Sequence, residues 1–201
     1  MSIPVAQKHQ PTRDKIVEIA CTLMRGKGFH ATTVDDILKE LGMSKGSFFH
    51  YFKSKEELGY AVIESYRTRL MRIMNEAFEQ KDKTPMERMN FYFETWARHL
   101  TEKGISGCPC GVLAQELSDR HNGFRLKLVE IFDQYSQEWQ KLFEEAKTLG
   151  ELYEGVDCKA LADFLVGDFQ GAILLTKTTR DTDRFKRHLV HTKDYLSSLR
   201  A

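Results

Sequence analysis

The chain has 201 residues, a formal net charge of +1 and 41% apolar residues, which predicts one domain or two small ones and excludes a fully disordered polymer. No window approaches the roughly 18 consecutive apolar residues of a membrane span, and the opening MSIPVAQKHQPTRDK has no apolar centre, so a cytoplasmic protein with no membrane partner is expected. Charge is uneven: residues 1–55 hold nine Lys/Arg against five Asp/Glu, and a nucleic-acid partner at that end is compatible with a near-neutral total.

Almost every stretch carries the helical period and no alternating strand pattern appears, so the fold is expected to be all-α. Residues 12–27 set Ile16, Ile19, Ala20 and Leu23 on one stripe, and Gly28 stops that helix. Thr33 and Asp36 have the form of a capping box, with Asp in place of Glu, opening a helix to Leu41 that Gly42 ends. Ser44 caps a very short helix over 45–51, and Ser54 with Glu57 starts one that runs to Ala77. After the polar break at 81–83, Thr84-Pro85 with Glu87 opens a helix carrying Met89, Tyr92, Phe93, Trp96 and Leu100. A glycine-punctuated turn over 104–111 holds Cys108-Pro109-Cys110, and further helices are expected at 112–119, 122–148, 157–178 and 183–199. Two parts emerge: a three-helix head, residues 1–55, and a helical body, residues 56–201.

Two short helices joined by Leu41-Gly42-Met43-Ser44 and packed on a preceding helix have the helix-turn-helix layout. The second helix then offers its N-terminal residues to the major groove. Lys45 brings positive charge there, Gly46 lets the backbone approach closely, and Ser47 can bond base or phosphate. Phe48 and Phe52 read as core. His50, Tyr51, Lys53 and Lys55 have plainer readings as surface or solubilising residues, although the lysines flank a helix N-terminus suited to phosphate. Spacing alone fits a generic helical corner equally well.

The string TTVDDILKELGMSKGSFFHYFKSKEEL, residues 32–58, together with Gly28-Phe29 before it, resembles the TetR family of bacterial repressors over roughly the first 60 residues. The resemblance implies a helix-turn-helix head, a helical ligand-sensing and dimerising body, a homodimer on a double-stranded palindromic operator, and no enzyme activity. Carried over by position, Thr33, Lys45, Gly46, Ser47, Phe49, His50, Tyr51 and Lys55 are the DNA contacts it implies. Phe49 departs from the Tyr common in the family, so a phosphate hydrogen bond there gives way to an apolar contact such as a thymine methyl.

In the body, residues 158–178 carry Leu161, Leu165, Phe169, Ala172, Ile173 and Leu175, with Gly167 and Gly171 permitting close approach. By the resemblance, the last two helices build the subunit interface; the same pattern would also serve a monomer core. Met89, Tyr92, Trp96, His99, Phe132 and Tyr135 could line an apolar ligand pocket, with Phe124, Leu128 and Trp139 beside them, or could be plain core. A lipophilic inducer would fit such a pocket.

Cys108 offers a different sensor. It lies in a loop just ahead of a helix, where free N–H groups and the helix dipole favour thiolate, and a thiolate that solvent reaches is readily oxidised or alkylated. No cation is adjacent in sequence; Lys103 and the distant Lys177 are the candidate sources of positive charge. The Ile-Ser-Gly-Cys turn before a Leu-Ser helix, and Lys177 sixteen residues before Lys193, resemble the NemR-type electrophile- and oxidant-responsive group within the family. That resemblance picks Cys108 as sensor and Lys177 as its partner; Cys110 is a departure that bears on a single-cysteine mechanism. Cys21 reads as a buried small hydrophobe and Cys158 as a packed helix-start residue. His99 or His121 with the two cysteines would be the minimum of a metal site at no diagnostic spacing, so no metal or cofactor is expected. A thiol oxidoreductase lacks the two-residue spacer and the strand–helix scaffold that such chemistry uses.

Overall fold

Fifteen residues in the first helix place Ile16, Val17, Ala20, Cys21 and Met24 on one buried face, the spacing that a helical period demands. Ile19 and Leu23, expected on that stripe, lie half-buried at its margin. This helix, α1, spans Arg13–Lys27 in a computed structural model that describes residues 13–103 and 107–201, apart from the side chains of 99–103. The expected start at Thr12, the 104–106 part of the expected turn, and the side chains of His99, Leu100 and Lys103 lie outside the described residues.

The next elements follow their caps. α2 (Val34–Leu41) opens on a reciprocal box in which Asp36 N–H donates to Thr33 Oγ1 at 3.0 Å and Thr33 N–H donates to Asp36 Oδ2 at 2.8 Å. Gly42 closes it with φ +61°, a left-handed conformation that glycine adopts without Cβ strain. Ser44 caps α3 (Lys45–Tyr51) by accepting from Ser47 N–H at 3.2 Å. α4 (Lys55–Phe78) begins on Ser54, but Glu57 reaches back to the N–H of Lys53 instead of the cap residue. α5 (Pro85–Lys103) opens on the Thr84–Glu87 box.

α6 (Pro109–Leu117) starts three residues before the expected 112. Proline's missing N–H is one that a first helical turn leaves unpaired anyway, and its fixed φ suits the helix, so Pro109 draws the helix back to Cys108. α7 (Asn122–Thr148), α8 (Cys158–Thr179) and α9 (Thr182–Ser198) complete the chain within about a residue of the expected bounds. The described residues contain helices and turns and no strand. No helix among them is long and apolar enough to cross a membrane.

Two apolar cores form. Tyr92, Phe93, Trp139, Phe143, Phe169 and Phe185 centre the body core. Ile16, Ile37, Phe48 and Phe52 of the head share the other with Leu58 and Val62 of α4, Leu113 and Leu117 of α6, and Phe124 and Leu128 of α7. Helices of 15, 8 and 7 residues bury too little surface to stand alone, so the body completes the head's core. Cys108 packs against both cores, at their junction.

Candidate nucleic-acid interface and thiol site

α3 is amphipathic at a scale of seven residues. Phe48 and Phe52 are fully buried, each removing a side chain from water at a gain of roughly 1.5–3 kcal/mol. That anchoring turns the opposite face outward: Lys45, Gly46, Phe49 and His50 are exposed, while Ser47 and Tyr51 are half-buried at the flanks. Phe49 is 45% exposed, its ring edge-on to that of Phe48 at 5.3 Å. Ser47 Oγ lies 2.9 Å from Ser44 Oγ, and the Tyr51 ring meets His50 edge-on at 5.2 Å. Thr33 is exposed at the start of α2, its oxygen accepting the cap bond.

Lys55 behaves differently from the other implied DNA contacts. Its ammonium lies over the Phe29 ring at 4.5 Å and donates to the His30 carbonyl at 3.2 Å, and burial pushes its pKa down. It braces the turn after α1 and is not extended toward the α3 surface. Lys27 pairs with Asp36 at 2.7 Å; that contact and the cap bonds hold the Asp36 carboxyl well below the usual carboxylate range.

At the other end of the same core, Cys108 is the N-cap residue of α6, half-buried, with Gln170 Nε2 of α8 donating to its sulfur at 3.4 Å. The Cys110 thiol is the largest influence lowering the Cys108 pKa; the N–H groups of Gly111 and Cys110 and the Gln170 amide act in the same direction, against burial. Cys110 is shifted oppositely, upward, by its role as donor to Cys108 and by burial in the head-facing core, where it is 3% exposed. Gly111 makes the approach of α8 possible: a Cβ there would lie 2.6 Å from Gln170 Oε1. Cys108 opens on a cleft of about 410 Å³ that Gly107, Val112, Glu116, Gln170 and Lys177 help to line.

Lys177 reaches this turn, its Nζ 3.4 Å from where a Cβ of Gly107 would stand, so the structure brings Lys177 and Cys108 to one cleft, whereas Cys110 is buried in the head-facing core. Gln170 and Glu116 were absent from the sequence reading. Gln170 precedes Lys177 by seven residues, two helical turns, so their shared face is a signal that periodicity carries. Nothing in the sequence marks Glu116, whose partners are backbone N–H groups 86 and 87 residues away.

The aromatic stripe divides. Met89, Tyr92 and Tyr135 are buried in the body core, the two phenol oxygens 2.8 Å apart, with Tyr92 edge-on to Trp139 at 5.1 Å. Trp96 is half-buried against that core, whereas Phe132 belongs to the head-facing one with Phe124 and Leu128. His99 has its side chain outside the described residues.

The expected interface residues also divide. Leu161, Leu165, Phe169, Ala172 and Ile173 are buried in the protomer's own core. The apolar groups left open on α8 are Phe164, Leu174 and Leu175, beside Val190 and Tyr195 of α9. Gly167 and Gly171, with open space beside them, continue that face. A 22-residue helix is apolar on two sides here, and only packing against α7 and α5 decides which side is core.

Residues 16–62 match the family described as bacterial regulatory proteins, tetR family, and residues 85–192 match the tetracyclin repressor-like C-terminal domain. The chain is 33% identical over 172 residues to the transcriptional regulator AcuR of Cereibacter sphaeroides, covering 82% of this chain and 78% of that protein. It is 30% identical to the HTH-type transcriptional repressor DhaR of a Mycobacterium strain, over 89% of each. Similarity to the repressor NemR of Escherichia coli reaches 28% over 115 residues, 57% of this chain and 58% of that one. Among solved structures, a TetR regulatory protein from Rhodobacter sphaeroides superposes with a TM-score of 0.83 at 28% identity, over 92% of this chain and 97% of that one. The reduced form of NemR superposes at 0.82 with 23% identity, over 94% and 96%, a likeness of fold.

Proposed function

Since the chain belongs to the tetR family of bacterial regulatory proteins, and is thereby a DNA-binding transcriptional regulator and not an enzyme, we propose that it is a repressor that holds a palindromic operator as a homodimer and releases it when an electrophile or oxidant modifies Cys108. The observation that carries this reading is the half-buried Cys108 sulfur, opening on a small-molecule-sized cleft and hydrogen-bonded by Gln170.

The DNA surface in this reading is Lys45, Gly46, Ser47, Phe49, His50 and Tyr51 of α3, with Thr33 at the start of α2; Lys55 acts from behind, on the turn that carries the head. One seven-residue helix makes few base contacts, so two heads about 34 Å apart on successive major grooves are needed. The open apolar face of α8 and α9 supplies the surface for the second copy, because leaving Phe164, Leu174, Leu175 and Val190 in water is unfavourable.

The chemistry needs only the thiolate. It adds to the β-carbon of a maleimide or other electron-poor alkene, forming a C–S bond, and the resulting carbanion takes a proton from water. The new substituent enters the cleft that Gly111, Gln170 and Glu116 help to line, and crowding there favours a body conformation different from this one.

The test is a gel shift on the DNA upstream of the gene, with and without N-ethylmaleimide or hypochlorite, for the wild type and Cys108→Ser. Release of the wild type with retention of the variant supports the reading. Retention of both makes Cys108 structural and moves the inducer to a non-covalent lipophilic ligand.

A further inference from the structure

The turn after α1 presents two backbone N–H groups, on Phe29 and His30, to a single carboxylate from the body. Glu116 Oε2 accepts from Phe29 N–H at 2.7 Å and Oε1 accepts from His30 N–H at 2.6 Å. Gly28 fits this contact twice over: its φ of +86° suits glycine, and a Cβ there would collide with the same carboxylate. Lys55, near enough to feel the Glu116 charge, donates to the His30 carbonyl, and Thr32 Oγ1 donates to the Gly28 carbonyl at 2.7 Å. Phe29 closes the joint by packing edge-on against Phe124 of α7 at 5.1 Å.

Glu116 and Cys108 lie on one rigid element. α6 separates them by eight residues, about 12 Å of helix. Leu113 and Leu117 seat α6 in the head-facing core, so it moves as a body. Bulk added to the Cys108 sulfur enters the cleft of about 410 Å³ that Gly111, Gln170 and Glu116 itself help to line, so an adduct crowds the carboxylate's own surroundings. An adduct seated in that cleft displaces the Glu116 side chain or α6 with it, and a displacement of about 1 Å along the bonds takes both charge-assisted contacts beyond hydrogen-bond range.

We propose that Glu116 is the positioning residue through which α6 sets the pose of the DNA-reading head: the carboxylate closed on Phe29 and His30 holds the operator-binding pose, and modification of Cys108 opens it. This rests on the repressor reading above. The regulated event is the exchange of two carboxylate-to-amide bonds for bonds to water, after which, among the described residues, the head is held to the body through α4, including the Tyr66 hydroxyl's bond to the Cys21 carbonyl, and through apolar contacts.

Hydrogen exchange of the peptide spanning 28–33, in the full-length protein, reads those two amides directly. The expected result is fast exchange in Glu116→Gln, whose amide cannot accept from both N–H groups, and in wild type alkylated by N-ethylmaleimide. Operator affinity falls about tenfold in each, and alkylating the variant adds little more. Thermal melting of Glu116→Gln close to wild type separates this from general unfolding. If alkylated wild type releases DNA while the 28–33 amides stay protected, or Glu116→Gln binds and releases like wild type, the proposal is overturned. If alkylation fails to release wild type, the Cys108 reading falls alone, and the affinity and exchange of Glu116→Gln still decide whether the carboxylate positions the head.

Discussion

Two cysteines separated by one proline are pushed in opposite directions because one donates and the other accepts. Cys110 sits in the apolar core and keeps its proton, and that S–H is the largest influence favouring charge on Cys108. A lowered thiol pKa means that the nucleophile persists as pH falls below the ordinary thiol range of about 8.5. Cys110→Ala therefore moves the midpoint of Cys108 alkylation upward and slows the reaction at pH 7, read by mass spectrometry across a pH series. Gln170→Leu shifts the midpoint in the same direction by a smaller amount. Unchanged profiles in both would mean that the helix N-terminus alone governs the thiol. Cys21, deeply buried with its pKa raised, stays unlabelled under the same conditions.

For the short helices of the head, caps and anchors carry the stability. Thr33→Ala removes one half of the box and costs about 1 kcal/mol in chemical denaturation. The Asp36 contribution has a definite pH sign. Its folded pKa lies below the unfolded one, so the stabilisation is present above the usual Asp range, about 4, and is lost as pH falls below it. Asp36→Asn flattens that acid dependence. In α3, Phe48→Ala leaves a hole in a core where the ring is fully buried and costs about 3–5 kcal/mol. Phe49→Ala, one residue on, costs under about 0.5 kcal/mol of stability but weakens operator binding in a gel shift. Opposite outcomes at adjacent positions follow from the helix facing core on one side and water on the other.

At the scale of the whole molecule, the head is not an independent unit. Its core is completed by α4, α6 and α7, and its turn between α1 and α2 is held by Glu116 and Lys55. The joint therefore senses what happens at α6, and α8 connects the thiol to the open apolar face, since Gln170 and Lys177 point one way and Phe164 and Leu175 the other. Leu175→Glu places charge in the face assigned to the second copy. It should yield a monomer in sedimentation velocity with near-native melting, and abolish tight operator binding. A dimer that persists in this variant would put the interface elsewhere on the body.

The sequence by itself determined what is local. Caps at Thr33, Ser44, Ser54 and Thr84, the Gly42 stop, and the 3.6-residue period marked the helices, because those signals act within four residues of one another. The order of residues across the turn marked a helix-turn-helix layout, and it was the resemblance of residues 32–58 to the family that singled out α3 as the candidate reading helix. Tertiary structure decided every pairing at long range. It turned Lys55 inward onto Phe29 and His30, brought Gln170 to Cys108, assigned most of the α8 apolar residues to the protomer core, and split the aromatic stripe between two cores. Glu116 is the extreme case, since its partners are backbone N–H groups that every residue but proline possesses. A side chain's periodicity states which face it occupies; only packing, which minimises exposed apolar area over all helices at once, states what that face meets.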